Sequence, residues 1–201
     1  MQGRDLPIFS CSGRLTVPEK LPQMKNTASD AKRKALFIDR DGIINEDTGY
    51  PYKPEHIRFH DAIFPLLKIA QEKGYLLVVI TNQAGIAKGK FTELDVEALH
   101  GWMADEFRKR GIVIERFYYC PHHPEAPVAQ YRAACGCRKP MPGMVERAAR
   151  EFGIDVSASL VIGDKTSDRI KLDKLRSVIV KSRYTGEAFD VETISEVEKY
   201  L

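Results

Sequence analysis

The chain has 201 residues, 43% of them apolar and 29% charged, enough for a single domain with a full hydrophobic core. A net charge of +3 suits small anionic ligands but is too weak to indicate nucleic-acid or membrane binding, so neither partner is expected. No apolar stretch is long enough to span a bilayer, and residues 1–30 lack the apolar run of a secretory signal, so a cytoplasmic protein is expected.

Residues 1–34 mix Pro, Ser, Lys and Gln without a sustained apolar period and read as a flexible N-terminal extension. The domain proper then runs over 35–201. Ala35-Leu36-Phe37-Ile38 is a continuous apolar run, the signature of a strand buried on both faces. Residues 62–73 carry helical spacing through Ile63, Leu66, Leu67 and Ala70 and stop at Gly74. Residues 75–80 form a second buried strand. Thr92 is the expected N-cap of a helix reaching Arg110, with Leu99, Trp102, Met103 and Phe107 on its apolar side. A third strand lies within 112–119, a helix follows Pro142, and a fourth strand covers 159–162. A short helix, a strand over 177–180 and a closing helix over 191–200 complete the chain. Strands alternating with helices, with nearly unbroken apolar strands, predict an α/β doubly wound parallel sheet.

The four cysteines are Cys11, Cys120, Cys135 and Cys137, and three of them cluster. Cys120-Pro121-His122 and Cys135-Gly136-Cys137 place three thiols and an imidazole in two close pairs, the spacing of a closed tetrahedral zinc site. With protein filling all four positions, the zinc is structural, and Arg138 and Lys139 are held at its edge. No disulfide framework remains, which points to a reducing compartment. His123 reads as a loop residue beside this site, and His56, His60 and His100 as structural residues. The stretch from Gly85 to Lys90 superficially suggests a phosphate-binding loop, but its spacing is short and Phe91 stands where Ser or Thr is required.

Ligands of parallel sheets bind beyond the C-terminal strand ends. The first strand ends at Asp39-Arg40-Asp41-Gly42, the second at Thr81-Asn82-Gln83 and the fourth at Gly163-Asp164-Lys165, with Asp168 shortly after. Carboxylates crowded at one edge repel one another unless a divalent cation holds them, and oxygen-only ligation suits Mg²⁺. Thr81 adds a hydroxyl, Lys139 a point charge and Arg138 a bidentate fork. Each motif alone is common in turns. Together at strand ends, they form the parts list for moving a phosphoryl group.

These residues resemble the haloacid dehalogenase superfamily of phosphatases. Asp39-Arg40-Asp41-Gly42 matches its first motif, Thr81 the second, Lys139 the third, and Gly163-Asp164 with Asp168 the fourth. Residues 39–45, 81–89, 120–124 and 137–144 are similar to a zinc-loop subgroup that acts on heptose bisphosphates. The resemblance runs from about Ala35 to Asp168 and implies a Rossmann-like fold without a large cap domain, since only 39 residues separate Asp41 from Thr81. It further implies Asp39 as nucleophile and Asp41 as general acid and base. Mg²⁺ would be held by Asp39, the Asp41 carbonyl and Asp164, while Thr81 and Lys139 stabilise the transferring group. Arg138, Lys165, Asp47, Thr48, Gly49, Tyr50, Asn82 and Gln83 match substrate-contact positions, and Cys120, His122, Cys135 and Cys137 match the zinc ligands. The implied partner is a small-molecule sugar bisphosphate, met by a monomer. Histidinol phosphate is the runner-up substrate, ranked lower because 12 residues separate His122 from Cys135 here, a longer insertion than in the enzymes that act on it. A zinc-stabilised binding module without catalysis is disfavoured by the intact Asp39, Asp41 and Asp164. One stretch departs from the family pattern: residues 169–176 are bulky and charged where the family is rich in Ala and Gly.

Overall fold

The computed structural model describes residues 32–201 and the backbone of Phe9–Ser10. The extension expected over residues 1–34 lies, for the most part, outside these described residues. Strands β1 (Phe9–Ser10), β2 (Lys34–Ile38), β3 (Tyr75–Asn82), β4 (Ile114–Cys120), β5 (Leu160–Gly163) and β6 (Arg176–Ile179) form one sheet in the order β1-β4-β3-β2-β5-β6. Every pairing is parallel, with Ile38 beside Val79 on one side and Ile162 on the other. Helices α1 (Ile63–Glu72), α2 (Ala84–Ala87), α3 (Glu93–Lys109) and α4 (Gly143–Phe152) complete the α/β fold. No helix among the described residues is long and apolar enough to cross a membrane.

The continuous apolar strands work because both faces are covered. Leu36, Ile38, Leu77 and Val79 point into a core shared with α1 and α3, through Ile63, Leu67, Leu99, Met103 and Phe107. Ala35, Phe37, Val78 and Ile80 point the other way, against Met144, Val145 and Ala148 of α4. The two-residue alternation of side chains thus divides one apolar run between two cores. Thr92 caps α3 as its chemistry dictates: its Oγ1 accepts from Asp95 N at 3.2 Å, and Asp95 Oδ2 accepts from Thr92 N at 2.7 Å.

Two helices differ from the sequence expectation. The closing helix is a 3₁₀ segment, Ile194–Tyr200. Its Ile194, Val197 and Tyr200, which pack on the core, recur every three residues, the period of a 3₁₀ turn and not of an α-helix. Between β5 and β6 there is a single 3₁₀ turn, Thr166–Asp168. The bulky stretch that follows forms no helix; it tucks Ile170 and Leu175 under the sheet as a loop, with Lys171 N donating to Pro140 O at 2.8 Å.

Candidate active site

The parallel sheet brings the ends of β2, β3 and β5 to one edge. There a cavity of about 260 Å³ is lined by Asp39, Asp41, Tyr50, Thr81, Asn82, Lys88, His123, Arg138, Lys139, Lys165 and Ser167, with Ala84 at its wall. Gly42 and Gly163 make the crowding possible. A Cβ on Gly42, whose φ is +104°, would lie 2.2 Å from Asp164 Oδ2, and one on Gly163 would lie 2.2 Å from Asp168 Cβ.

Lys139 is buried between two carboxylates, 2.8 Å from Asp39 Oδ1 and 2.6 Å from Asp168 Oδ1. Burial works against its charge, but Asp168 and Asp39 outweigh it and raise the pKa of the ammonium. Burial pushes Asp39 up to about 6 despite the opposing pull of Lys139. Burial likewise pushes Asp164 up to about 7, against Lys165 and with the support of Asp39 and Asp168. Carboxyl oxygens of Asp39, Asp164 and Asp168 lie within 4.8 Å of one another, and Asp164 Oδ1 is buried without a hydrogen bond. Three hard oxygen donors this close, one of them orphaned, fit a divalent cation of the Mg²⁺ type. Asp168 thus joins the acidic cluster, while the Asp41 carboxylate faces a different set of partners. The Asp41 carbonyl oxygen lies 3.5 Å from Lys165 Nζ.

The Asp41 side chain sits in a cradle of four donors. Oδ1 accepts from Arg40 Nε at 3.0 Å and Asn45 Nδ2 at 3.1 Å; Oδ2 accepts from Arg40 Nη2 at 2.8 Å and Gln83 Nε2 at 3.0 Å. Gln83 also donates to Thr81 Oγ1 at 2.9 Å and accepts from Arg40 at 3.1 Å, so its buried amide is fully engaged within the protein. Asn82 exchanges two bonds with the Lys139 backbone: Lys139 N donates to its Oδ1 at 3.0 Å, and its Nδ2 donates to Lys139 O at 3.2 Å. Both residues therefore tie parts of the site together, and Asn82 also lines the cavity.

The remaining candidate positions form the rim. Asp47 accepts from Lys165 Nζ at 2.8 Å and from the Tyr184 hydroxyl at 3.0 Å, Thr48 and Gly49 are exposed, and the Tyr50 hydroxyl accepts from Lys88 at 2.8 Å. Arg138 donates to His122 O at 3.2 Å and, half-buried, lines the cavity. Lys88 and His123, which sequence reasoning passed over, line it too. The flawed phosphate-loop pattern at residues 85–90 hid Lys88, and adjacency to a ligand-like histidine hid His123.

Beside this rim the second cluster assembles. Sγ–Sγ distances are 3.5 Å for Cys120–Cys135 and 3.3 Å for both Cys137–Cys120 and Cys137–Cys135; His122 Nδ1 lies 3.8 Å from Cys120 Sγ and 3.6 Å from Cys137 Sγ. A Zn²⁺ tetrahedron with bonds of about 2.3 Å to sulfur has edges of about 3.8 Å, at the upper end of this set. The hydrogen bond from Cys137 is the main cause of a Cys120 thiol lowered to about 6. Four soft donors at such spacing fit a closed zinc site.

Comparison with known proteins extends these observations. The HAD-hydrolase-like family profile matches residues 136–170. The chain is 42% identical over 134 residues to D-glycero-beta-D-manno-heptose-1,7-bisphosphate 7-phosphatase of Yersinia pestis, covering 67% of this chain and 71% of that protein. It is 46% identical over 137 residues to D-glycero-alpha-D-manno-heptose-1,7-bisphosphate 7-phosphatase of Burkholderia mallei, covering 68% and 72%. Among solved structures, a HAD-like protein from Mesorhizobium loti superposes with a TM-score of 0.71 at 33% identity, over 76% of this chain and 74% of its own. The D,D-heptose 1,7-bisphosphate phosphatase of B. bronchiseptica, solved with magnesium and phosphate, shares the fold with a TM-score of 0.69 at 24% identity, over 83% and 97%.

Proposed function

Because the chain belongs to the heptose-1,7-bisphosphate 7-phosphatase family of HAD-like hydrolases, we propose that it removes the 7-phosphate of D-glycero-D-manno-heptose 1,7-bisphosphate. The observation that carries this reading is the cavity itself, where Asp39 and Asp41 face a ring of four cations, Lys88, Arg138, Lys139 and Lys165. Four cations around one small cavity suit a substrate that carries more than one phosphate.

In the proposed reaction, Asp39 attacks the phosphorus, the bond to the sugar oxygen breaks, and an aspartyl-phosphate forms. Asp41 gives a proton to the departing oxygen and then takes one from the water that hydrolyses the intermediate. Lys139 and Thr81 stabilise the oxygens of the transferring group, while Arg138 and Lys165 hold the distal phosphate. Asp39, Asp164 and the Asp41 carbonyl would hold Mg²⁺, with Asp168 completing the acidic cluster; when bound, the ion neutralises phosphate charge. Zinc at Cys120, His122, Cys135 and Cys137 would fold the loop that closes the cavity and helps exclude water. On this reading the enzyme works as a cytoplasmic monomer in the synthesis of nucleotide-activated heptose for lipopolysaccharide.

The test is phosphate release from both anomers of the heptose bisphosphate, with histidinol phosphate and fructose 1,6-bisphosphate as comparators, with and without Mg²⁺. A heptose bisphosphate is expected to turn over fastest, and Asp39→Asn to abolish turnover. Preference for histidinol phosphate, or an active Asp39→Asn protein, would overturn the reading.

A further inference from the structure

Arg40 is wholly buried. Its fork holds both oxygens of Asp41, and its Nη2 also reaches Pro51 O at 3.0 Å and Gln83 Oε1 at 3.1 Å. Its Nη1 has a further partner 60 residues away, His100 Nε2 at 3.2 Å, on α3. Arginine has no acceptor, so His100 must accept through Nε2 and carry its proton on Nδ1. Burial, and then the Arg40 charge, hold the pKa of His100 well below its ordinary value, which keeps the ring neutral and Nε2 free to accept. The ring is itself fixed by stacking on Phe117, centroids 4.8 Å apart.

A buried guanidinium is costly unless its donors are matched, and here two of the matches are to the Asp41 carboxylate while Pro51, Gln83 and His100 take the rest. A carboxylate has about four lone-pair sites, and all four on Asp41 are met, so the proton it passes on takes the place of one neutral amide donor, Asn45 or Gln83, while the Arg40 fork stays. Its two oxygens cannot rotate without breaking bonds, although the side chain lines the cavity.

We propose that Arg40, braced by His100, is a positioning residue that fixes the plane of the Asp41 carboxylate for proton transfer to the departing oxygen. This rests on the reading of Asp41 as the acid and base of the phosphatase reaction. Arg40 is not among the residues that line the cavity, and its two-pronged contact is with Asp41. Its loss therefore lowers kcat/KM where the departing oxygen needs a proton and spares kcat/KM where it needs none, while the later hydrolysis of the intermediate is common to both kinds of substrate.

The experiment compares kcat/KM for heptose bisphosphate, whose sugar oxygen is a poor leaving group, with that for p-nitrophenyl phosphate, whose phenolate leaves unprotonated. In Arg40→Lys, which keeps charge but not the fork, the sugar substrate is expected to lose about 100-fold and the aryl substrate less than about 5-fold. His100→Phe is expected to show the same selective loss to a smaller degree, and His100→Gln, which restores an acceptor, to recover most of it. Equal losses on both substrates, or no loss on either, would overturn the proposal. Should Arg40→Lys fail to fold by near-ultraviolet circular dichroism, the His100 pair decides in the same way. A wild-type protein inactive on the sugar but active on the aryl ester would overturn the substrate reading and leave the Arg40 test to a simple alkyl phosphate.

Discussion

Lys139 and Asp168 form the tightest ion pair of the site, 2.6 Å apart with the Asp168 side chain wholly buried. Removing one partner of a buried pair leaves the other charge uncompensated, at about 3–5 kcal/mol. Lys139→Met is therefore expected to lower stability by that order in metal-free protein and to abolish turnover. Mg²⁺ should restore part of the stability and none of the activity. Urea denaturation with and without Mg²⁺, beside an activity assay, checks both halves.

Gly163 is the hinge on which that pair depends. A methyl group there would overlap Asp168 Cβ at 2.2 Å, so Gly163→Ala must displace Asp168 and with it Lys139. Expected is a fall in kcat of about 10²-fold or more, the scale of a misplaced catalytic group, in a protein that keeps its zinc. A variant with wild-type kcat would show that Asp168 does not set the position of Lys139.

Asp39 and Asp164 give a pH dependence whose sign is fixed. Their folded pKa values, about 6 and about 7, lie above the ordinary 3.8, so the folded state binds these protons more tightly than the unfolded one. This contribution to stability is full below about pH 4 and is lost as pH rises through 6 and 7. Mg²⁺ competes with the same protons. The rise in melting temperature on adding Mg²⁺ should be large at pH 8 and small at pH 5.5, with apparent affinity falling about tenfold per pH unit for each proton displaced. A thermal shift equal at both pH values would contradict the acidic-cluster assignment.

Metal removal at the cysteine cluster should act on the rim before the core. The cluster is tied to the sheet by Cys120, which ends β4 in register with Asn82, and through Cys137 to the adjacent Arg138 and Lys139. Cys135→Ser is expected to lower zinc content from about one per chain and to raise KM more than it lowers the melting temperature, because Arg138 and His123 lose their mounting. Elemental analysis together with steady-state kinetics measures this. Unchanged KM in zinc-free protein would separate the loop from substrate binding.

Much of this architecture was legible in the residues because strong local signals marked it. Runs such as residues 35–38 and 75–80 are too apolar for anything but doubly covered strands, and the strand-end rule then gathered Asp39, Thr81 and Asp164 without any coordinates. Thr92 announced its helix through capping chemistry. What stayed hidden was long-range polar pairing. Arg40 looks like a filler between two motif aspartates, and only the fold brings His100 to it from 60 residues away and Gln83 from 43. Asn82 and Gln83 match substrate-contact positions of the family, and Asn82 lines the cavity; what spacing does not encode is that their side chains also bond to Lys139, Thr81 and Asp41.

The absence of a helix between β5 and β6 has a mechanical consequence. On one face that flank is covered by the loop residues Ile170 and Leu175 and not by a helix, while its other face contributes Val178 to the core shared with α1. Segments with few apolar contacts open first in local unfolding, so amide exchange should be fastest along β6 and the loop before it. Asp164 and Asp168 hang from this same flank. The cation they share would act as its rivet, and occupancy of the acidic cluster would be readable as slowed exchange in a strand that carries no ligand itself.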